Sequence, residues 1–195
     1  MTNFKPKALQ EEPPPSYASQ CQSCELSKQR QRVIWGEGNP NARIFFLMDN
    51  PGLREDKEGN AFVCGTRETL QLGIKEVGLD IDSIYVSYLL KCRPIRTYNK
   101  QLAREACLSH LQFQLLEKKP YLLLGLGNAV AQSLFPDIET DVKSLRGEWH
   151  IYQGIPVAFS YHPLAVRRRP NLMKSFIADL LLVAEKNKEL QELNR

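Results

Sequence analysis

The sequence predicts an α/β domain, a central parallel sheet of about four strands between helical layers. Three observations carry this. Four short stretches rich in β formers (Ile44–Met48, Ser83–Leu90, Tyr121–Leu126, Pro156–Tyr161) are largely apolar, as strands covered on both faces are. Between them lie longer stretches with apolar residues at helical spacing. Strands and helices that alternate in this way build parallel sheets, because a parallel connection needs a crossover.

In order along the chain, residues 1–18 contain Pro13-Pro14-Pro15 and read as a flexible or surface-lying arm. Residues 19–195 then form a single domain, long enough for a substantial core. Val33-Ile34-Trp35 is a short strand or turn, and Gly36 to Pro40 a loop. Ile44–Met48, the central strand, stops at Asp49-Asn50-Pro51-Gly52, where proline and glycine cannot continue a ladder. The segment that follows, Leu53 to Asp56 and Asn60 to Val63, is expected to loop over that strand end.

Thr66 to Val77 is a helix with Leu70, Ile74 and Val77 on one face and Gly78 as its stop. Ser83–Leu90 is the second strand, ending at Lys91-Cys92-Arg93-Pro94. Leu102 to Glu117 is a helix that carries Cys107 beside the stripe Leu108, Leu111 and Leu115. Tyr121–Leu126 is the third strand, and Gly127 to Phe135 a helix. Gly125-Leu126-Gly127-Asn128 imitates a dinucleotide fingerprint but lacks its third glycine and its acidic residue. Val142 to Tyr152 is expected to pair as a hairpin with the fourth strand, which ends at His162-Pro163. Asn171 to Leu190 is a closing amphipathic helix.

The composition, 43% hydrophobic and 25% charged, is that of a soluble globular protein. No apolar run approaches the roughly 20 residues of a membrane span, and Met1 to Tyr17 has no signal-peptide core. A cytoplasmic monomer is expected, with no membrane partner. The net charge of +4 permits nucleic acid as a partner without demanding it. Five cysteines in such a chain are not a disulfide framework. Cys21 and Cys24 form a C-x-x-C pair, Cys92 and Cys107 lie far downstream, and Cys64 is the odd one. Four thiolates suit a zinc ion or an iron–sulfur cluster, but the 14 residues between Cys92 and Cys107 fit a zinc ribbon poorly.

Two polar clusters stand at strand ends, Asp49-Asn50 and His162, and ligands of open α/β sheets bind there. Arg167-Arg168-Arg169, just beyond His162, suits phosphates.

Together these residues resemble the family 4, iron–sulfur-containing uracil-DNA glycosylases. The likeness runs from Cys21-Gln22-Ser23-Cys24-Glu25-Leu26 through Gly36 to Pro40, the acidic loop Met48 to Asp56, and Ala61-Phe62-Val63-Cys64-Gly65. It continues through Tyr88 to Pro94, Cys107, Arg146-Gly147 and His162-Pro163-Leu164. The resemblance implies a three-layer α/β/α fold and a structural [4Fe–4S] cluster on Cys21, Cys24, Cys92 and Cys107. It also implies hydrolysis of the bond between uracil, or another deaminated base, and the sugar in DNA, leaving an abasic site in base excision repair. Asp49 and Asn50 would hold the water and the sugar side, with Pro51 and Gly52 at the base. Phe62 would stack on the base, Tyr88 would face its edge, and His162 would stabilise it as it leaves. Arg167, Arg168 and Arg169 would hold phosphates, and Leu164 or Val166 would wedge the duplex.

This chain departs from the pattern. Asp49 replaces a Glu, Asn50 an Ala or Gly, Cys64 a Gly, and Leu164 a Ser. Tyr88 replaces the Asn that reads uracil, which leads to an expectation of weak or relaxed uracil excision. The alternative is a weak or inactive DNA-binding paralogue with the same cluster, its pocket closed by Tyr88.

Overall fold

The computed structural model describes residues 4–58, 63–136 and 140–193. Its elements in chain order are β1 (Glu11–Glu12), α1 (Ser16–Ser19), β2 (Gly36–Gly38), β3 (Ile44–Met48), α2 (Leu53–Glu58), α3 (Gly65–Glu76) and β4 (Ile84–Tyr88). There follow α4 (Lys100–Lys118), β5 (Leu122–Leu126), α5 (Asn128–Leu134), α6 (Val142–Leu145), β6 (His150–Tyr152), β7 (Ile155–Ser160), α7 (Pro163–Arg168) and α8 (Met173–Leu193). One sheet runs β1-β2-β4-β3-β5-β7-β6. Its middle, β4-β3-β5-β7, is the parallel unit that the apolar runs predicted. The sheet as a whole has seven strands rather than about four, because β1, β2 and β6 add antiparallel edges.

The parallel strands alternate their faces. Ile44, Phe46 and Met48 pack with Leu70 and Ile74 of α3 and with Phe176, Leu180 and Val183 of α8. Phe45 and Leu47 pack on the other side with Leu111 and Leu115 of α4 and Val130 and Leu134 of α5. Both faces are thus covered, which is why these strands read as unbroken apolar runs. A third, smaller cluster joins Leu26, Val33, Leu90 and Ala103 to Cys92 and Cys107.

Several expectations are corrected. The glycine-rich segment expected as a loop is strand β2, paired with Tyr85 to Ser87. Gly36 lies so close to the Tyr85 ring that a Cβ there would fall 2.2 Å from its hydroxyl, so a close approach demands the glycine that disguised the strand. The segment after Gly52 starts with the helix α2 rather than a loop; Glu55 Oε2 accepts from Gly52 N (3.0 Å) at its start. Only His150–Tyr152 pairs with β7; Val142–Leu145 is a one-turn helix closed by an Asp141–Ser144 capping box. The β6–β7 turn has positive φ at both Gln153 (50°) and Gly154 (81°), the primed geometry that matches strand twist. In the N-terminal segment, Leu9 is buried and Glu11–Glu12 forms the outermost strand. Among the described residues no helix is long and apolar enough to cross a membrane.

Candidate active site

The parallel strands β4-β3-β5-β7 run second, first, third and fourth in sequence, so the order reverses between β3 and β5. Crevices form beyond the carboxyl ends of strands at such a switch. A cavity of about 300 Å³ lies at these strand ends. Met48, Asp49, Asn50 and Gly52 line it after β3, Tyr88 at the end of β4, Glu55 from α2, Cys64, Thr66 and Arg67 at the start of α3, and His162 and Leu164 around the start of α7. Asp49, Asn50, Tyr88 and His162, distant in sequence, therefore meet in one cavity. Phe62 lies outside the described residues.

The backbone at Met48-Asp49 is fixed by Leu89 N–H and Leu90 N–H, which donate to the carbonyls of Met48 (2.7 Å) and Asp49 (2.9 Å). Asp49 Oδ1 is buried without a hydrogen-bond partner, with Arg104 Nη2 3.8 Å away. Burial raises the Asp49 pKa, against the lowering pull of Arg104 and Lys100. Asn50 Nδ2 donates to Pro51 O (2.9 Å), which fixes the roll of its amide.

His162 follows β7 and caps α7; its Nδ1 accepts the Leu164 backbone N–H at 3.2 Å. A ring nitrogen that accepts carries no proton, so the neutral imidazole carries it on Nε2 as a donor. Burial, with the nearby Arg67 charge, lowers the His162 pKa to about 4, so the ring is neutral at pH 7.

Tyr88 is 1% exposed, and its hydroxyl accepts from Arg67 Nη2. Burial pushes the phenol up to about 12 despite the Arg67 charge. Arg67 itself is 5% exposed, pairs with the buried Glu37 carboxylate, and stands 3.9 Å from Glu55 Oε1. Cys64, beside it, points its thiol at Glu55 Oε1 (3.5 Å), and burial raises its pKa. Sequence reasoning missed Arg67, Glu37, Glu55 and Arg104. The signal for Arg67 was present: it lies three residues before Leu70 and seven before Ile74, on the apolar face of α3, where a guanidinium requires buried partners.

Around the rim, Leu164 is half-buried and lines the cavity. Val166 is 1% exposed and belongs to the core with α3 and α8, which corrects its expected use as a wedge. Arg167, Arg168 and Arg169 are exposed. The Arg167 guanidinium lies over Gly65, where a Cβ would come within 2.4 Å of its Cζ.

Elsewhere, Cys21, Cys24, Cys92 and Cys107 line one small cavity, and Cys64 is not among its lining residues. N–H donors point at two of the sulfurs, and a histidine ring nitrogen lies beside a third. Arg30 Nη1 stands 3.5 Å from Cys92 Sγ, the Lys91 backbone N–H 3.4 Å from Cys107 Sγ, and His110 Nε2 3.3 Å from Cys21 Sγ. Burial raises the Cys107 thiol and pushes Cys92 up to about 12, a penalty on the thiolate that a bound metal's charge offsets. Among the described residues no three His, Cys, Asp or Glu side chains form a metal-ion site. In residue type, four cysteines around one small cavity suit the all-thiolate ligation of an iron–sulfur cluster.

The profile of the uracil DNA glycosylase superfamily matches residues 35–181, from the residue before β2 into α8. The chain belongs to that superfamily. The type-4 uracil-DNA glycosylase of Saccharolobus solfataricus is 32% identical over 174 residues, 85% of this chain and 81% of its own. Those of Archaeoglobus fulgidus and Thermotoga maritima are each 30% identical, over 85% and 82% of this chain and 87% and 84% of theirs. The matched region of this superfamily member contains every cavity-lining residue, whereas Cys21 and Cys24 precede it.

Proposed function

We propose that the protein is a monofunctional DNA glycosylase that removes uracil, or another deaminated base, from DNA in base excision repair. The observation that carries this is the convergence of Asp49, Asn50 and a neutral His162 on one strand-end cavity of about 300 Å³. Tyr88 stands in its wall and leaves that space open, which favours an enzyme over the inactive paralogue.

A base must leave the duplex stack to enter such a cavity. Asn50 orients a water, since an amide has no useful basicity, and the Asp49 carboxylate takes its proton. The water oxygen bonds to the sugar C1′, the bond to the base nitrogen breaks, and its electron pair leaves with the base. His162 Nε2–H donates to the base O2, where negative charge grows as that bond breaks. Phe62 stacks on the base, Leu164 fills the place it leaves, and Arg167, Arg168 and Arg169 hold phosphates.

Cys21, Cys24, Cys92 and Cys107 would hold a [4Fe–4S] cluster. It serves structure, tying the segment before β2 to the end of β4 and to α4. The protein is read as a cytoplasmic monomer.

The test is strand cleavage in alkali after incubation with oligonucleotides that contain uracil, hypoxanthine or xanthine. Cleavage at one of them is expected, and His162→Ala should lower its single-turnover rate about a hundredfold. No product from any of the three would overturn the assignment.

A further inference from the structure

Arg67 and Tyr88 take part in none of the steps above, yet both are buried side chains that line the cavity. The guanidinium has donors only and is held by the Glu37 carboxylate, itself 2% exposed. Since Arg67 can only donate, the Tyr88 oxygen accepts, and the phenol proton must point elsewhere. Among the described residues no acceptor for that proton is found, and the phenol stays protonated at neutral pH. The phenol proton is thus left to be donated to a group in the cavity that Tyr88 lines, with the Arg67 charge behind it.

Deamination changes two neighbouring groups at the base edge: a carbonyl, an acceptor, replaces an amine, a donor, and the ring nitrogen beside it gains a hydrogen. We propose that Arg67 and Tyr88 form a reading pair that selects bases carrying a carbonyl at C4 of a pyrimidine or C6 of a purine, namely uracil and hypoxanthine, against cytosine and adenine. The inference rests on the glycosylase reading and names the substrate class of the same site. Tyr88 O–H donates to that carbonyl, and Arg67 polarises the hydroxyl and holds it in place. With cytosine or adenine, an amine would face the buried hydroxyl and guanidinium, which pairs poorly and is rejected. A hydroxyl reads one carbonyl without demanding the ring N–H beside it, so one pair serves both deaminated bases. It does not separate uracil from thymine or hypoxanthine from guanine, which differ at other edges.

The test reads affinity without cleavage. Duplexes carry 2′-fluoro-2′-deoxyuridine or 2′-fluoro-2′-deoxycytidine, whose glycosidic bonds resist hydrolysis, opposite a tetrahydrofuran abasic analogue so that neither base is paired. The full-length wild type should bind the uracil duplex at least about tenfold more tightly than the cytosine duplex. Tyr88→Phe, which keeps the ring, should bring the two within about twofold. It should also lower single-turnover cleavage of uracil and of hypoxanthine DNA by about tenfold or more. Affinity for a duplex with the analogue alone should not change. Arg67→Lys should act in the same direction, and it keeps a cation beside Glu37, so folding is preserved. A uracil preference that survives in Tyr88→Phe, or is missing from the wild type, overturns the reading pair. A wild type that prefers uracil yet cleaves nothing overturns the glycosylase assignment and leaves the pair standing.

Discussion

Lowering the pH through the range where free histidine titrates tests the state of His162 directly. Its pKa drops from 6.5 to about 4, because burial and then the Arg67 charge disfavour the imidazolium. At pH 5.5 an ordinary histidine is about one-tenth neutral, but one with a pKa of 4 is about 97% neutral. Catalysis that needs the neutral donor should therefore hardly change between pH 8 and 5.5. The stability consequence has a definite sign. The folded value lies below the unfolded one, so the unfolded chain takes the proton first as the pH falls. The stability tied to a neutral His162 is whole above about pH 6.5 and is lost progressively towards pH 4, by about 3 kcal/mol in total. Asp49, whose pKa is raised, can add its own acid limb to the rate. The two are separated by following the His162 ring through its NMR titration alongside single-turnover cleavage at constant ionic strength. A ring midpoint near 6.5 with a matching fall in rate would refute the neutral-donor argument.

Three further outcomes are expected. Cys21→Ser, Cys24→Ser, Cys92→Ser and Cys107→Ser should each lower iron content and folding yield, while Cys64→Ser leaves iron unchanged; stoichiometric zinc without iron in the wild type would contradict the cluster. Replacing Arg167, Arg168 and Arg169 together by Ala should weaken DNA binding and flatten its salt dependence by about one unit per lost phosphate contact. Arg146→Met should destabilise the fold by about 3 kcal/mol in urea titration, because it strips Asp179, 1% exposed, of its Arg146 bonds at 2.8 and 3.1 Å.

How much was legible in the sequence follows from what each residue faces. β3, β4, β5 and β7 were readable because each is covered on both sides, which forces continuous apolar runs. β1 and β2 were not, since an acidic pair and a glycine-rich triplet are held by backbone pairing that leaves no side-chain pattern. The short helices α2 and α7 were missed because six residues are too few to show a period. Asp49, Asn50 and His162 were legible as polar residues that interrupt apolar runs at strand ends.

Arg67 marks the boundary of such reading and shows why it lies there. Its position on the apolar stripe of α3 says that the charge is buried, but not where its partners are. One partner, Glu37, sits on the strand β2 that the pattern concealed, and the other, Tyr88, ends the adjacent β4. The pairing of β2 with β4 sets Gly36 opposite Ser87 and Glu37 opposite Val86, which brings Glu37 within reach of the helix above Tyr88. Tyr88 taken alone looks like a large residue where the family keeps a small amide. With Arg67 it becomes the last member of a braced chain, Glu37 to Arg67 to Tyr88, that stands in the wall instead of filling the cavity. A departure from a family motif is thus interpretable only together with the residues that support it in space.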